Sequence, residues 1–257
     1  MDIKDKNVVI TGASSGIGYD LMIKLLNSGC KVIAASRTIS KIEFNHENLW
    51  KYDCDVSSVE GVDKLFDYAY ANLKSIDIFI ANAGFAFYEK LVTPDWSHLM
   101  KIFNTNVFSA IYAAEKLKIT TEGRPYNFVI TASAMGFVSL PGYALYSSTK
   151  AALRGFADSY RYELLKGQTL QVVFPIAVKT EFFKNAGDIP SSWPIQTSSF
   201  VADCIIRGIR RNKLDIYPSK IFLMFKLMSA LCPPVVKLYN KMPYKNFIKW
   251  LNTHNKK

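Results

Sequence analysis

Cysteine is scarce in this chain, and the cysteines that it has are far apart. There are four in 257 residues; none forms a C-x-x-C pair, and no histidine stands beside one at metal-ligand spacing. This distribution argues against a disulfide framework and against a zinc or other metal centre. We therefore expect reduced thiols, no bound metal and a cytoplasmic protein.

The sequence also lacks the features of an exported or membrane-spanning protein. Its first residues, MDIKDKNVVITG, lead into an apolar segment without the charged stretch and apolar core of a secretory signal. The longest apolar run, residues 221–236, has 16 residues and is interrupted by Lys226 and Pro233-Pro234. A membrane-spanning helix needs ~20 residues, so this run is too short.

Acidic residues are nearly absent from the end of the chain. The formal net charge is +11, and +8 of it lies in residues 213–257, which contain nine lysines and one acid, Asp215. Such asymmetry predicts an anionic partner for this tail. The rest of the chain is only weakly basic and carries no nucleic-acid-binding motif, so we expect no nucleic-acid partner.

Short apolar runs alternate with helix-length periodic segments, which is typical of βαβ units around a parallel sheet. The predicted strands are residues 7–12, 31–37, 48–56, 76–84, 126–133, 170–175 and 214–218. Predicted helices cover residues 19–29 and 62–73, and two more contain Asn106 and the pair Tyr146 and Lys150. We expect one α/β domain, residues 1–218, followed by an apolar and basic extension, residues 219–257.

The turn after the first predicted strand reads TGASSGIG. Glycines between a strand and a helix allow backbone N–H groups to approach a pyrophosphate, and the helix N-terminus faces its negative charge. The same spacing also fits a tight βα turn, but its place in the first βα unit favours a dinucleotide. The candidate cofactor-binding residues here are Gly12, Ser14, Ser15, Gly16, Ile17 and Gly18.

The end of the second strand indicates which dinucleotide is bound. An acid at this point pairs with the ribose 2′-hydroxyl of NAD, whereas an arginine accommodates the 2′-phosphate of NADP. The strand ends Ala35-Ser36-Arg37, without a carboxylate. Arg37 therefore favours NADP (NADPH) over NAD; the alternative is a solvated cation without a ligand.

Two polar residues follow the next strands. Asp55 is placed to accept a hydrogen bond from an adenine amino group, or alternatively to cap the helix that begins near Ser57 and Ser58. Asn82, in the sequence ANAG, is placed to bind an adenosine ribose or the backbone of the central sheet.

The stretch YSSTK places Tyr146 and Lys150 four residues apart, on the same face of a helix. A nearby ammonium favours the ionised form of a tyrosine, so this spacing indicates a proton-transfer pair. The alternative is a chance arrangement on a polar helix surface. Hydride delivery to a carbonyl creates an alkoxide that must be protonated, which gives such a pair a role.

Five motifs in order, TGASSGIG, ANAG, Asn106, Ser133 and Tyr146-x-x-x-Lys150, resemble the short-chain dehydrogenase/reductase family over residues 1 to about 218. The resemblance implies a doubly wound, seven-stranded parallel sheet in an α/β/α arrangement, with NAD(P) across the strand carboxyl ends. It also implies a homo-oligomer.

The resemblance implies a role for each matching residue. Tyr146 matches the catalytic acid/base, Lys150 its pKa-lowering partner and nicotinamide-ribose ligand, Ser133 the hydroxyl that orients the substrate carbonyl, and Asn106 the holder of a relay water. Further cofactor contacts fall on Asn82, Ala83, Gly84, Pro175 and Thr180. The chain departs from the family at Ala81, where an asparagine is common, and at Ile176, where a glycine is usual.

These residues predict an NADP(H)-dependent oxidoreductase that interconverts a carbonyl and an alcohol. Aromatic side chains in residues 85–96 and 181–194 favour a lipophilic substrate, although core packing also explains them. Alternatives are a dinucleotide-binding regulatory or scaffold protein without turnover, which Ile176 favours, and an isomerase or dehydratase, for which no second acid/base residue is evident.

The tail repeats lysine every four residues, at Lys237, Lys241, Lys245 and Lys249, between large apolar residues. This pattern is typical of a segment that lies on an anionic membrane surface. A lid or dimer-interface element and a segment that binds an acidic protein or a nucleic acid are the alternatives. We expect Pro243 to interrupt any helix here.

Overall fold

The computed structural model describes residues 2–180, 182 and 194–254. Its central sheet has seven parallel strands, which are β1 Asn7–Thr11, β2 Lys31–Ser36, β3 Leu49–Asp53, β4 Ile78–Ala81, β5 Tyr126–Thr131, β6 Gln168–Val173 and β9 Asp215–Ile216. Their order across the sheet is β3-β2-β1-β4-β5-β6-β9. Two short strands, β7 Val178–Lys179 and β8 Gln196–Thr197, pair separately. The predicted doubly wound sheet is confirmed.

Helices cover both faces of this sheet. They are α1 Gly16–Asn27, α2 Val59–Leu73, α3 Trp96–Phe103, α4 Ser109–Thr120, α5 Ala144–Tyr160, α6 Ser198–Arg210, α7 Lys220–Leu231 and α8 Pro234–His254. A π-helical turn, Asn104–Phe108, joins α3 to α4.

The strands are buried on both faces because alternate side chains enter two different cores. Val9, Ile33 and Phe79 belong to one core. Val8 and Ile10 belong to the other, which α1 and α6 complete. This double burial explains why the strand sequences are continuous apolar runs.

The strand order reverses beside β1, which pairs with β2 on one side and β4 on the other. The chain leaves β1 and β4 toward opposite faces of the sheet, and this divergence opens a crevice at their carboxyl ends. The motifs predicted to bind a dinucleotide therefore converge on this edge.

The C-terminal extension is folded onto the body. The rings of Phe247 and Trp250 on α8 lie 5.6 and 4.9 Å from the ring of Tyr88, centre to centre. The expectation that Pro243 interrupts the helix is wrong, since α8 runs through it. A proline removes one backbone hydrogen bond, and the packing of the following turns against the body offsets this loss.

Candidate active site

The carboxyl ends of the strands open into a cavity of about 790 Å³. Fifteen predicted site residues line it: Gly12, Ser14, Ser15, Gly16, Ile17, Arg37, Asp55, Asn82, Ala83, Gly84, Ser133, Tyr146, Lys150, Pro175 and Thr180. The other two, Gly18 and Asn106, contact the backbone behind the wall.

The glycine turn leaves no room for side chains. Gly12 has φ +66°, and a Cβ there would lie 2.9 Å from the Cα of Ala83. A Cβ on Gly18 would lie 2.3 Å from the carbonyl oxygen of Gly12, so α1 begins in direct contact with the end of β1. Ser15, which precedes α1, makes no side-chain cap to the helix, and Ser15, Gly16 and Ile17 all line the cavity. This cradle fits a pyrophosphate.

The fourth strand is fixed to the glycine turn through Thr11 and Asn82. The hydroxyl oxygen of Thr11 accepts hydrogen bonds from the backbone N–H groups of Asn82 and Ala83, at 3.1 and 3.0 Å. Asn82 in turn donates to the carbonyl oxygens of Thr11 and Gly12, each at 3.3 Å. Of the two roles predicted for Asn82, the structure shows binding to the sheet backbone. Asn82 also lines the cavity.

Arg37 lies at one end of the cavity with its side chain exposed. A hydroxyl cluster stands beside it: Ser14 Oγ lies 2.7 Å from Ser36 Oγ and 3.1 Å from Thr38 Oγ1. Lys41, in the short helix after β2, adds a second cation to the wall. Two cations with several hydroxyl donors form a site that fits a phosphate group. Sequence reasoning found Arg37 and missed Thr38 and Lys41, although both follow closely in the chain.

Asp55 lines the same end and also supports its own turn. Its Oδ1 accepts a hydrogen bond from the backbone N–H of Ser57 at 3.0 Å. The N-cap of α2 is Ser58, which accepts from the N–H of Gly61 at 3.1 Å, so Asp55 is not the capping residue. The Asp55 carboxylate is exposed to the cavity and keeps a free oxygen for a ligand.

Tyr146, Ser133 and Lys150 form a buried group at the middle of the cavity wall. Burial raises the pKa of Tyr146 to about 12, and a hydrogen bond with the Ser133 side chain acts in the opposite direction. Burial lowers the pKa of Lys150 to about 7. In the protein alone, desolvation is therefore the dominant influence on both groups, and it favours a protonated phenol.

Lys150 is held by the end of β5. Its Nζ donates a 2.8 Å hydrogen bond to the carbonyl oxygen of Thr131 and lies 5.5 Å from the centre of the Tyr146 ring. Ser133 accepts a 3.1 Å hydrogen bond from the N–H of Met135, which fixes its hydroxyl oxygen and leaves the O–H for the hydrogen bond with Tyr146. Helix α5 and strand β5 thus bring the three side chains together.

Asn106 lies in the π-helical turn, directly behind Gly84. Its amide donates to the carbonyl oxygen of Phe85 at 2.9 Å and to Thr149 Oγ1 at 3.1 Å, and it accepts from the N–H of Phe85 at 3.0 Å. Both amide hydrogens are used. Because Oδ1 accepts only this one hydrogen bond from the protein, its second lone pair remains for another partner. A Cβ on Gly84 would lie 3.2 Å from this oxygen and 3.6 Å from Lys150 Nζ.

The other end of the cavity is mainly apolar. Its wall includes Phe85, Phe87, Met135, Leu140, Ile176, Phe182 and Pro194 from the body, and Ile221, Phe222, Phe225 and Tyr239 from the extension. Within the second aromatic segment predicted to line a substrate site, Phe182 and Pro194 belong to the described residues and the remainder lies outside them. No cluster of metal-ligating side chains is present among the described residues.

The family model described as short chain dehydrogenase matches residues 6–189. The chain belongs to this family. It is 31% identical over 198 residues to an uncharacterized oxidoreductase from Staphylococcus saprophyticus, which covers 73% of this chain and 80% of that protein.

Two solved structures of the family share the fold. A short chain dehydrogenase from Burkholderia cenocepacia, in complex with NADP, has a TM-score of 0.82 at 21% identity and covers 94% of this chain and 99% of its own. A family member from Burkholderia phymatum, in complex with NAD, has a TM-score of 0.79 at 18% identity, covering 91% and 96%. At 21% and 18% identity, the similarity to these two structures shows a shared fold only.

This short-chain dehydrogenase departs from the usual sequence at Ile176, and the structure shows where that side chain lies. Ile176 is half-buried, packs against one core and lines the cavity near Pro175. The carbonyl oxygen of Pro175 accepts a 2.9 Å hydrogen bond from Ala134 N–H, so the turn remains tied to the end of β5. Ile176 adds apolar surface to the cavity.

Proposed function

We propose that this short-chain dehydrogenase is an NADP(H)-dependent oxidoreductase that interconverts a carbonyl and an alcohol on a lipophilic substrate. The observation that carries the proposal is the arrangement of one cavity. A phosphate-sized cationic site stands at one end, an apolar chamber at the other, and the buried Tyr146, Ser133 and Lys150 lie between them.

Each protein group has a role in the reduction. The bound reduced nicotinamide supplies the hydride. Ser133 donates a hydrogen bond to the carbonyl oxygen and orients it. Tyr146 transfers its phenolic proton to that oxygen as negative charge develops there, which leaves a tyrosinate beside the Lys150 ammonium. The raised pKa of Tyr146 ensures that its proton is present before the reaction.

The proton on Tyr146 must be restored after each reduction. Lys150 Nζ lies 5.5 Å from the centre of the Tyr146 ring, and its lowered pKa of about 7 lets it give up a proton near neutral pH. The Asn106 amide oxygen and Lys150 Nζ both lie beside Gly84, at 3.2 and 3.6 Å from its Cβ position, and this proximity suits a water that returns the proton from solvent.

The proposed preference for NADP rests on the charged residues after β2. An enzyme that selects NAD carries an acid at the end of β2, and this chain has Ser36-Arg37 there. Arg37 and Lys41 together match the charge of a 2′-phosphate. The neighbouring structures bind NAD in one case and NADP in the other, so the choice rests on these residues.

We propose a lipophilic substrate because of the side chains that line the cavity beyond Tyr146. Phe85, Phe87, Leu140 and Phe182 face the cavity, and the extension adds Phe222 and Phe225. A mainly apolar chamber beside few polar groups binds an apolar ligand and leaves its carbonyl as the part that is hydrogen-bonded. Lipophilic substrates dissolve in membranes. Contact of this protein with a membrane surface is therefore consistent with an apolar substrate chamber.

Titration of NADPH and NADH, followed by nicotinamide fluorescence, tests the cofactor proposal. We expect the wild type to bind NADPH more tightly. Arg37→Asp should weaken NADPH binding by about tenfold to a hundredfold, the value of a charge-assisted hydrogen bond, and should not weaken NADH binding. Arg211→Asp, an equal charge change at an exposed arginine outside the cavity wall, is the control. Equal affinities in the wild type would contradict an NADP preference.

A regulatory protein that binds the dinucleotide without turnover is the second candidate, because Ile176 occupies a position where the family usually has glycine. A screen of aldehydes and ketones with NADPH separates the two functions. A substrate whose turnover disappears in Tyr146→Phe supports the enzyme. Tight NADPH binding with no substrate, and a cellular phenotype unchanged in Tyr146→Phe, supports the regulator.

We further propose a cytoplasmic homo-oligomer. The four cysteines are free thiols, two of them buried, which suits a reducing compartment. Sedimentation equilibrium of the purified protein tests oligomerisation, and a monomer at micromolar concentration would contradict it.

A further inference from the structure

Helix α7 presents an apolar face to solvent. Ile221, Met224, Leu227, Met228 and Leu231 recur at helical spacing on that face, and all are exposed, Met224 by 71% and Leu231 by 88%. The opposite face, with Phe222 and Phe225, packs on the body. The outer face of a helix on a water-soluble domain is normally polar, so α7 has an unusual surface.

Helix α8 continues this surface and adds charge. Its exposed apolar residues, Leu238, Met242, Tyr244 and Ile248, alternate with Lys237, Lys241, Lys245 and Lys249. Residues four apart advance by about 40° around a helix, so the lysines form a stripe along the exposed side. Of the large apolar side chains exposed in the described part of the chain, half lie on α7 and α8.

No acid offsets these lysines within the extension, because residues 216–257 contain neither aspartate nor glutamate. Lys226 points the other way: its Nζ lies 2.5 Å from the Tyr217 hydroxyl and 4.1 Å from the centre of the Phe137 ring. This inward lysine fastens α7 to the body. The outward charge of the surface is therefore supplied by Lys220 and α8.

The surface borders the cavity. Ile221 is exposed by 60% and also lines the cavity, as does Tyr239 on α8. Phe222 and Phe225, on the inner side of α7, line it as well. The exposed apolar face of α7 therefore adjoins the apolar end of the cavity.

We propose that α7 and α8 form a docking surface for an anionic phospholipid membrane. The apolar side chains enter the boundary between headgroups and acyl chains, and the α8 lysines bind the anionic headgroups. No described helix is long and apolar enough to cross a bilayer. If the proposed lipophilic substrate is correct, this placement lets the substrate pass between bilayer and cavity without crossing water.

Vesicle sedimentation of the full-length protein tests the docking surface without any enzyme assay. We expect the protein to sediment with vesicles of phosphatidylcholine and phosphatidylglycerol and much less with phosphatidylcholine alone. The triple variant Lys237→Gln, Lys241→Gln, Lys245→Gln should reduce the vesicle-bound partition coefficient by about tenfold or more. The triple variant Met224→Gln, Leu227→Gln, Leu231→Gln should reduce it similarly, because the apolar contact is lost.

Lys31→Gln, Lys74→Gln, Lys166→Gln is the matched control. These exposed lysines stand just before or at the start of β2, β4 and β6, at the sheet edge opposite the cavity. The control removes the same charge and should bind vesicles like the wild type. Because all of these side chains are exposed, the variants should fold, which circular dichroism verifies.

Three results would overturn the proposal. One is a wild-type protein that stays in the supernatant with anionic vesicles. Another is a control that loses binding as strongly as the α8 variant, since net charge alone would then explain it. The last is an α7 variant that binds vesicles normally but changes a dimer to a monomer in light scattering, which would assign the face to a second copy. Loss of vesicle binding with intact NADPH turnover would leave the proposed function standing.

Discussion

Lys150 donates a 2.8 Å hydrogen bond to the carbonyl oxygen of Thr131, the last residue of β5. This bond fixes the Lys150 amino group at the strand end. The other residues around Lys150 exclude water from it. Burial consequently lowers its pKa from 10.5 to about 7. Below about pH 7 the protein therefore holds a buried cation next to Tyr146, which costs stability, and above that pH the amine is neutral.

Lys150→Met tests this cost through the pH dependence of stability. Between about pH 7 and pH 10, the unfolded chain binds a proton at Lys150 that the folded protein has released, so stability rises with pH. The unfolding free energy of the wild type relative to Lys150→Met should increase by about 1.4 kcal/mol per pH unit from about pH 7 to pH 9. Urea denaturation at several pH values measures it.

Lys64→Met, a substitution at an exposed lysine of α2, should keep the slope of the wild type. A Lys150→Met variant that also keeps that slope would show that Lys150 titrates alike in the folded and unfolded states.

Tyr146→Phe removes the phenolic proton and little else. We expect the rate of carbonyl reduction to fall by about 10²–10⁴-fold, the usual contribution of general acid catalysis, with NADPH affinity nearly unchanged. Steady-state kinetics and a binding titration measure the two quantities. Tyr143→Phe is the control, since its ring lies 6.2 Å from that of Tyr146 yet is not part of the cavity wall. Substantial turnover in Tyr146→Phe would remove Tyr146 from the acid/base role.

Gly18→Ala and Gly155→Ala should have opposite effects on stability. A Cβ at Gly18 would lie 2.3 Å from Gly12 O, so the α1–β1 contact must open; we expect a loss of about 1–3 kcal/mol and weaker NADPH binding. Gly155 lies in α5 with no atom within 4 Å of its Cβ position, and alanine there should add about 0.5–1 kcal/mol. Thermal denaturation compares them, and equal effects would contradict the close contact at Gly18.

Asn106→Ala leaves the backbone of Phe85 without its side-chain partners. Each buried polar group that loses its hydrogen bond costs about 1–3 kcal/mol, so the variant should be clearly destabilised. Asn72→Ala is the control, because this exposed amide makes one 2.8 Å bond to its own helix, at Tyr68 O, and its loss should be nearly neutral. Urea denaturation of both variants distinguishes them, and a neutral Asn106→Ala would refute the structural part of its role.

Sequence patterns correctly predicted the features that depend on residues close together in the chain. Strands such as residues 31–37 read as apolar runs because the sheet is buried on both faces, and the observed β2 ends one residue earlier. The turn glycines and the spacing of Tyr146 and Lys150 lie within single segments, so the sequence alone located them. The family and the fold were predicted correctly for the same reason.

Two groups that sequence reasoning missed, Thr11 and the carbonyl of Thr131, act through contacts distant in the chain. Thr11 aligns the end of β4, 71 residues away, and the carbonyl of Thr131 binds Lys150, 19 residues away. A hydroxyl or a backbone carbonyl carries no signal of such a partner until the topology brings the two together. Pro243 shows the converse, a strong local signal for a break that tertiary packing overrides.

The apolar end of the cavity takes part of its wall from α7 and α8, which follow the residues matched by the family model. The glycine turn that cradles the nucleotide site comes from a different stretch of chain. Substitutions in α7 and α8 can therefore reshape the apolar chamber without altering that turn.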